Sequence, residues 1–232
     1  MPPAMSMPTT PRERILTRLR QSRAVVPLRP APPTESDADW LARQPPIADL
    51  AARFVAEQQS TGGEVRRVAS WAALPEVVVP WLAEAGVRSV ITGREPRLEP
   101  LRERIGAHGG LTLRRYERPL EEQRAELFAT DCGITTSRGA IAETGSIVLV
   151  PTPAEPRLLS LAPEVHLAIV ERTALHATLA AFIQAGSYQA ELPANLVLVS
   201  GASRTADIEL VLAMGVHGPK RLLVALIDAA AE

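Results

Sequence analysis

The sequence is poor in the residues that build disulfides and metal clusters. Cys132 is its single cysteine. A disulfide needs a second cysteine, and an iron–sulfur cluster takes about four thiolate ligands, so this chain can form neither by itself. Its four histidines are scattered, and no His-Glu-x-x-His motif is present. We therefore expect no metal ion and no redox cofactor to be bound by this chain.

Aromatic residues and charge of one sign are also scarce. Aromatics make up 3% of the residues against 46% for all hydrophobic types, so the core must consist of Leu, Val, Ile and Ala. Such a composition is typical of helices packed on a parallel sheet. The net charge is −1 with no long block of one sign. The basic face that binds nucleic acid is missing, and we expect no nucleic-acid partner.

Long apolar runs and the standard nucleotide motifs are missing as well. No run reaches the ~18 apolar residues of a membrane span, and the start of the chain does not resemble a signal peptide. We therefore predict no membrane span and a cytoplasmic location. Neither G-x-G-x-x-G after a strand nor G-x-x-x-x-G-K-[ST] is present, which gives Rossmann and P-loop sites no support.

Proline is concentrated near the beginning of the chain. Ten of the 21 prolines lie at or before Pro46. Proline fixes φ and lacks a backbone donor, so this stretch cannot form a continuous helix or a central strand. Only residues 11–23 show a helical pattern within it. We predict an arm over residues 1–46, a short helix plus a proline-rich linker, followed by one domain over 47–232. The arm either docks onto a partner or wraps the surface of its own domain.

After residue 46 the pattern alternates between helix and strand. The predicted helices are 47–58, 71–85, 98–108, 121–128 and 173–185, the last with Thr173 as N-cap. The predicted strands are 64–69, 88–92, 111–116, 146–150, 165–170, 195–200 and 221–227. Short connections between alternating elements favour right-handed crossovers, so we predict an α/β domain with a mostly parallel sheet flanked by helices.

Polar and glycine residues are concentrated in a few segments of the second half. These segments are 131–135 continuing through 140–146, 157–166, 200–209 and 215–220. Their pieces G-I-T, A-I-A-E-T-G-S, P-x-V-H, S-G-x-S-R-T-A-D-I-E and G-V-H-G-P, in this order and spacing, resemble the LUD-domain family and its lactate utilization protein C (LutC/YkgG-like) group. The resemblance covers roughly residues 47–230, and the 200–209 segment is its most specific part.

The resemblance implies a fold similar to the ribose-5-phosphate isomerase and CoA-transferase group. It also implies a role in a multi-protein system that oxidises L-lactate to pyruvate. In that system the iron–sulfur clusters belong to partner proteins, so this chain would be the subunit without clusters and would not be active alone. A small anion such as lactate or pyruvate is the implied ligand.

The segment 200–209 is predicted to join the end of a strand to the start of a helix. Free backbone N–H groups at such a turn favour an anion, and we predict that Ser203, Arg204 and Thr205 bind the ligand. The alternative is plain helix capping by Thr205. Capping does not explain Arg204, a cation that would lie at the positive end of the helix dipole.

Glu143, Gly145 and Ser146 precede a predicted buried strand. We predict that the Glu143 carboxylate acts as general base or nucleophile and that Gly145 and Ser146 bind ligand. The alternative is structural: Glu143 accepts backbone N–H bonds in a tight turn at Gly145. Two other functions remain open at this point. One is a stand-alone acyl- or CoA-transfer enzyme with Glu143 as nucleophile, and the other is a structural adaptor with a vestigial site.

Two histidines and the cysteine complete the candidates. His217 lies in a loop flanked by glycines and a proline, so it can titrate near neutrality, and we predict a catalytic role. His166 begins an apolar strand and is predicted to be a core residue. Cys132 has no basic neighbour in sequence, so we predict that it packs as a small hydrophobe.

Overall fold

The chain divides into two compact units, Met1–Arg43 and Gln44–Glu232. A computed structural model describes residues 10–25, 39, 46–186, 193, 195–206, 212–215 and 218–229. In the first unit, helix α1 covers Pro11–Val25. Its start is a capping box, in which Thr10 Oγ1 accepts from the Glu13 N–H and Glu13 Oε2 accepts from the Thr10 N–H.

The second unit contains the remaining described elements. Its α-helices are α2 Leu50–Ser60, α3 Leu74–Glu84, α4 Glu99–Ala107, α5 Leu120–Phe128 and α6 Leu179–Ala185. Its strands are β1 Glu64–Val68, β2 Ser89–Thr92, β3 Thr112–Arg115, β4 Cys132–Thr136, β5 Gly139–Ile141, β6 Ser146–Leu149, β7 Val165–Glu171, β8 Leu175–His176, β9 Val197–Val199, β10 Arg204–Ala206, β11 Leu212–Met214 and β12 Arg221–Ile227. None of the described helices is long and apolar enough to cross a membrane.

Six of these strands form a parallel sheet in the order β1-β12-β7-β4-β2-β3. The central strands β4, β7 and β12 are almost continuously buried because both faces of the sheet are covered. Apolar residues of α3 and α4 pack on one face, and those of α2, β5 and β6 pack on the other. The predicted α/β fold with a mostly parallel sheet flanked by helices is confirmed.

A second sheet has the order β8-β5-β6-β9 and is mostly antiparallel. The predicted strand at 146–150 exists as β6, but it pairs with β5 as a hairpin instead of joining the parallel sheet. The cause is the length of the connection. Ile141 pairs directly with Ser146, so the turn between them is far too short for a parallel crossover.

Two local predictions were wrong, and one strand of the main sheet was not predicted. The predicted helix 173–185 begins only at Leu179 and is N-capped by Thr178, whose Oγ1 accepts from the Ala181 N–H at 3.1 Å. The first turn of the predicted helix is replaced by strand β8, which pairs with β5. Thr205 does not begin a helix, because β10 pairs with β11 there. Strand β4 was not predicted at all.

Candidate functional site

The predicted turn at Gly145 packs against the C-terminal turn of α2. Gly145 has φ +64, and a side chain there would lie 2.8 Å from Glu57 Cβ, so only glycine fits. The Gly145 carbonyl accepts a hydrogen bond from Gln58 Nε2, and Gln58 is completely buried. The glycine therefore fixes the β5–β6 hairpin on helix α2.

A chain of hydroxyl groups continues from this turn. Ser146 is buried, and its Oγ lies 2.7 Å from both Thr144 Oγ1 and Ser200 Oγ. The backbone carbonyl of Ser200 in turn accepts from Thr61 Oγ1 at 2.6 Å. The structure thus brings together Ser146 and the beginning of the 200–209 segment, which are distant in sequence.

Arg204 is exposed and lies at the same end of α2. Its Nη2 donates to the carbonyl of Thr61, the C-cap residue of α2, at 2.7 Å. The carbonyl end of a helix carries partial negative charge, so this contact is electrostatically favourable. The predicted position of Arg204 at the positive end of a helix was wrong, since residues 204–206 are a strand. Ligand binding by Arg204 stays a prediction.

The other predicted site residues are placed as follows. Ser203 joins the loop before β12, donating its N–H to Pro219 and accepting at its carbonyl from the Gly215 N–H. Glu143 is exposed in the β5–β6 turn, where its N–H donates to the Ala177 carbonyl at 3.0 Å. The side chain of Thr205 and all of His217 lie outside the described residues. The predicted roles of these residues remain predictions.

A second polar site lies where the main sheet meets the segment 151–163. This segment contacts the backbone of two glycines directly. A Cβ atom at Gly93, just after β2, would be 2.1 Å from the Ala154 carbonyl oxygen. A Cβ atom at Gly133 in β4 would be 1.9 Å from the Leu159 carbonyl oxygen. Glycine is required at both positions for the segment to lie this close to the sheet.

Between the segment and the end of β4 is a small pocket, which we call the β4 pocket. It is lined by Thr135, Thr136, Leu149, Val150, Pro151, Glu155, Pro156, Arg157 and Ser160. Its free space corresponds to about one water molecule. Open parallel sheets bind ligands beyond the carboxyl ends of their strands, which is where this pocket lies.

Glu155 is the ionisable group inside the β4 pocket. Its carboxylate accepts from the Thr136 N–H at 3.0 Å and from the Thr136 hydroxyl. Burial raises the pKa of Glu155, and the hydrogen bonds from Thr136 offset only part of this effect. Nearby Glu95 raises the same pKa further, while Arg97 lowers it. The result is a fixed carboxyl group that holds its proton to higher pH than an ordinary glutamate.

His166 lies one layer below the pocket, in β7. It is completely buried, as predicted, and its Nε2 is 2.8 Å from Thr135 Oγ1. Within the described part of the chain, its Nδ1 has no hydrogen-bond partner. Burial lowers the pKa of His166 to about 4, so the imidazole is neutral near pH 7. The neutral imidazole of His166 therefore fixes the position of the Thr135 hydroxyl by a hydrogen bond.

An ion-pair cluster borders the pocket. Arg97 bonds Glu95 at 3.0 Å and Glu171 at 2.6 Å, and its guanidinium stacks 4.7 Å from the centre of the Trp71 ring.

Cys132, at the other end of β4, is fully buried, and burial raises its pKa to about 12. Its thiol is therefore protonated near pH 7 and packs as a small hydrophobe, as the sequence predicts.

The sequence analysis missed Glu155. It lies between Pro153 and Pro156, where no periodic pattern exists. The nearest feature singled out in the sequence is Arg157, the first residue of the segment 157–166. That feature does not identify a pocket. Only the contacts of the segment with Gly93 and Gly133 place Glu155 beside β4.

The fold and this pocket define an α/β protein with a polar crevice at the carboxyl end of a parallel sheet. The model of the LUD domain matches residues 51–227, about three quarters of the chain. The chain therefore belongs to the LUD domain family.

Individual relatives agree with this assignment. An uncharacterized protein of Neisseria meningitidis is 32% identical over 187 residues, covering 72% of this chain and 80% of that protein. Lactate utilization protein C of Deinococcus radiodurans is 37% identical over 119 residues, covering 51% and 55%. Lactate utilization protein C 1 of Bacillus mycoides is 38% identical over 104 residues, covering 43% and 44%. The matches thus span about half the length of these two proteins.

A solved structure supports the fold. The crystal structure of a DUF162 family protein from Deinococcus radiodurans has a TM-score of 0.59 and 27% sequence identity, and the match covers 78% of this chain and 99% of that one. The likeness to the ribose-5-phosphate isomerase and CoA-transferase group stays a prediction.

Proposed function

We propose that this protein serves lactate utilization as the subunit without iron–sulfur clusters in a multi-protein system that oxidises L-lactate to pyruvate. The observation that carries the proposal is its membership of the LUD domain family, together with relatives named lactate utilization protein C at 37% and 38% identity. The LUD domain match, residues 51–227, includes the central strands and segment 151–163.

Oxidation of lactate to pyruvate removes two electrons and two protons, and the electrons must pass to a redox centre. This chain has one cysteine, which is buried with a raised pKa. Cluster ligation requires several accessible thiolates, so we assign the electron-carrying clusters to separate partner proteins. The contribution of this chain is to bind a small anion such as lactate or pyruvate in a crevice.

A growth experiment tests the role in lactate utilization. A bacterial strain that lacks its own lactate utilization protein C should regain growth on L-lactate when it produces this protein, while growth on glucose should not change. Continued failure to grow on lactate, with the folded protein present in the cells, would contradict the proposed role.

A reconstitution experiment tests the division of labour. The purified chain, mixed with L-lactate and an electron acceptor, should show no turnover, and turnover should appear when the iron–sulfur partner proteins are added. Affinity purification from lactate-grown cells should recover those proteins, identified by their iron content and cluster absorbance. Lactate oxidation by the purified chain alone would contradict the assignment of the redox step to partners.

A further inference from the structure

We propose that the β4 pocket binds a small carboxylic acid with a hydroxyl or keto oxygen on the adjacent carbon. In this proposal the ligand carboxylate pairs with Arg157 at the mouth, and the second oxygen enters the pocket beside Glu155. The identification of this ligand as the substrate rests on the proposed function, but the binding site itself rests on the geometry below.

The walls of the β4 pocket are held in place before any ligand arrives. Segment 151–163 is fixed to the sheet by its backbone contacts at Gly93 and Gly133. Both carboxylate oxygens of Glu155 are bonded by Thr136. The Thr135 hydroxyl is bonded to the fully buried His166. Groups that are already positioned lose little entropy on binding, which favours recognition of a small ligand.

The size and chemistry of the interior fit a single oxygen-bearing group. The free space is that of about one water molecule. Four of the lining residues carry side-chain oxygens: Thr135, Thr136, Glu155 and Ser160. The hydroxyl groups can both donate and accept hydrogen bonds, and the Glu155 carboxyl oxygens accept them. A hydroxyl or keto oxygen is small enough to enter and finds partners there.

The charge at the mouth fits a carboxylate. Arg157 lines the pocket, is exposed, and makes no side-chain hydrogen bond or ion pair with any residue that the structure describes. Two other arginines near this edge already have partners within the protein. Arg97 pairs with Glu95 and Glu171, and Arg94 donates to the Pro153 carbonyl. A free guanidinium binds a carboxylate through two parallel hydrogen bonds.

Calorimetric titration of the full chain tests the proposal, with L-lactate, pyruvate and acetate as probes. Acetate has the carboxylate but lacks the second oxygen. The wild type should bind lactate and pyruvate more tightly than acetate. Arg157→Met should weaken binding of all three probes by about tenfold or more. Glu155→Leu should remove most of the preference for lactate and pyruvate over acetate.

Arg88→Met is the matched control, because Arg88 is an exposed arginine at the opposite, amino-terminal end of β2. It should leave all affinities within about twofold of the wild type. Equal weakening by Arg157→Met and Arg88→Met would overturn the proposal, as would absence of wild-type binding at about 10 mM ligand. Equal wild-type affinity for acetate and lactate would overturn the placement of the second oxygen. Thermal melts confirm that each variant is folded.

The growth assay separates this proposal from the proposed function. If the wild type and Arg157→Met both restore growth on lactate and bind the probes equally, the pocket assignment is wrong and the role in lactate utilization stands. If the wild type binds the probes as expected but does not restore growth, the pocket stands and the role falls.

Discussion

Acid should destabilise this protein through His166. The histidine is fully buried in β7, and burial lowers its pKa to about 4 against an ordinary value of 6.5. Between these pH values the unfolded chain binds a proton that the folded chain excludes. The stability that the neutral His166 contributes is therefore fully present above about pH 6.5, and it is lost as the pH falls toward 4.

The size of the effect follows from the two pKa values. At pH 7.5 both states are neutral at this residue, and the contribution to the free energy of unfolding is close to zero. At pH 5 the unfolded imidazole is almost fully protonated while the folded one is neutral. Linkage then gives a loss of about 2 kcal/mol from this residue alone between these two pH values.

Urea unfolding of the wild type and of His166→Gln, at several pH values from 7.5 to 5, measures this contribution. Glutamine keeps a polar group near Thr135 and does not titrate. The stability of the wild type relative to the variant should fall by about 2 kcal/mol over this range. His108→Gln, in a partly exposed position, controls for removal of a histidine elsewhere in the chain. A constant difference between wild type and His166→Gln would refute the assignment of a buried neutral imidazole.

Three further predictions use stability measurements. Gly133→Ala should lower the free energy of unfolding by at least about 2 kcal/mol because its Cβ would meet the Leu159 carbonyl. Gly106→Ala, in the open on α4, should raise it by about 0.5–1 kcal/mol, and similar values for the two variants would contradict the close contact. Arg204→Ala should lower the free energy by about 1 kcal/mol because the bond to Thr61 is lost, and an unchanged melt would show that this bond contributes nothing. A chain beginning at Ile47 should unfold in urea within about 1 kcal/mol of the full chain, and insolubility would place the arm in the core.

Strands with continuous apolar runs could be predicted from sequence. β12 has the predicted bounds, Arg221–Ile227, because the continuous apolar run 222–227 lies between Arg221 and Asp228. β4 was not predicted, because Gly133 interrupts its short apolar run. Glycine is unfavourable in a strand by itself, and its presence is explained only by the contact with Leu159, which is distant in sequence.

Local signals also failed where tertiary pairing decided the conformation. Thr173 and Thr178 are both good N-caps, and the pairing of β8 with β5 selects the second. Thr205 is likewise a good cap, but pairing with β11 makes it a strand residue. These pairings join segments that the sequence pattern treats separately.

The candidate site was predictable in part. The motif residues Ser146 and Ser200 lie in contact, with their Oγ atoms 2.7 Å apart. Two of the segments rich in polar and glycine residues therefore do come together in the fold. The β4 pocket was not predicted, because its ionisable residue, Glu155, has no motif around it. Its altered pKa arises from burial by the fold, which is not encoded in neighbouring residues.

The contacts of segment 151–163 with Gly93 and Gly133 are made by the backbone carbonyls of Ala154 and Leu159. Every residue type carries a backbone carbonyl, so these contacts do not require a particular side chain at positions 154 and 159. The exposed side chain of Arg157 can therefore be exchanged without loss of these two contacts. The atoms that fix this segment on the sheet are therefore different from those that its exposed side chains present to solvent.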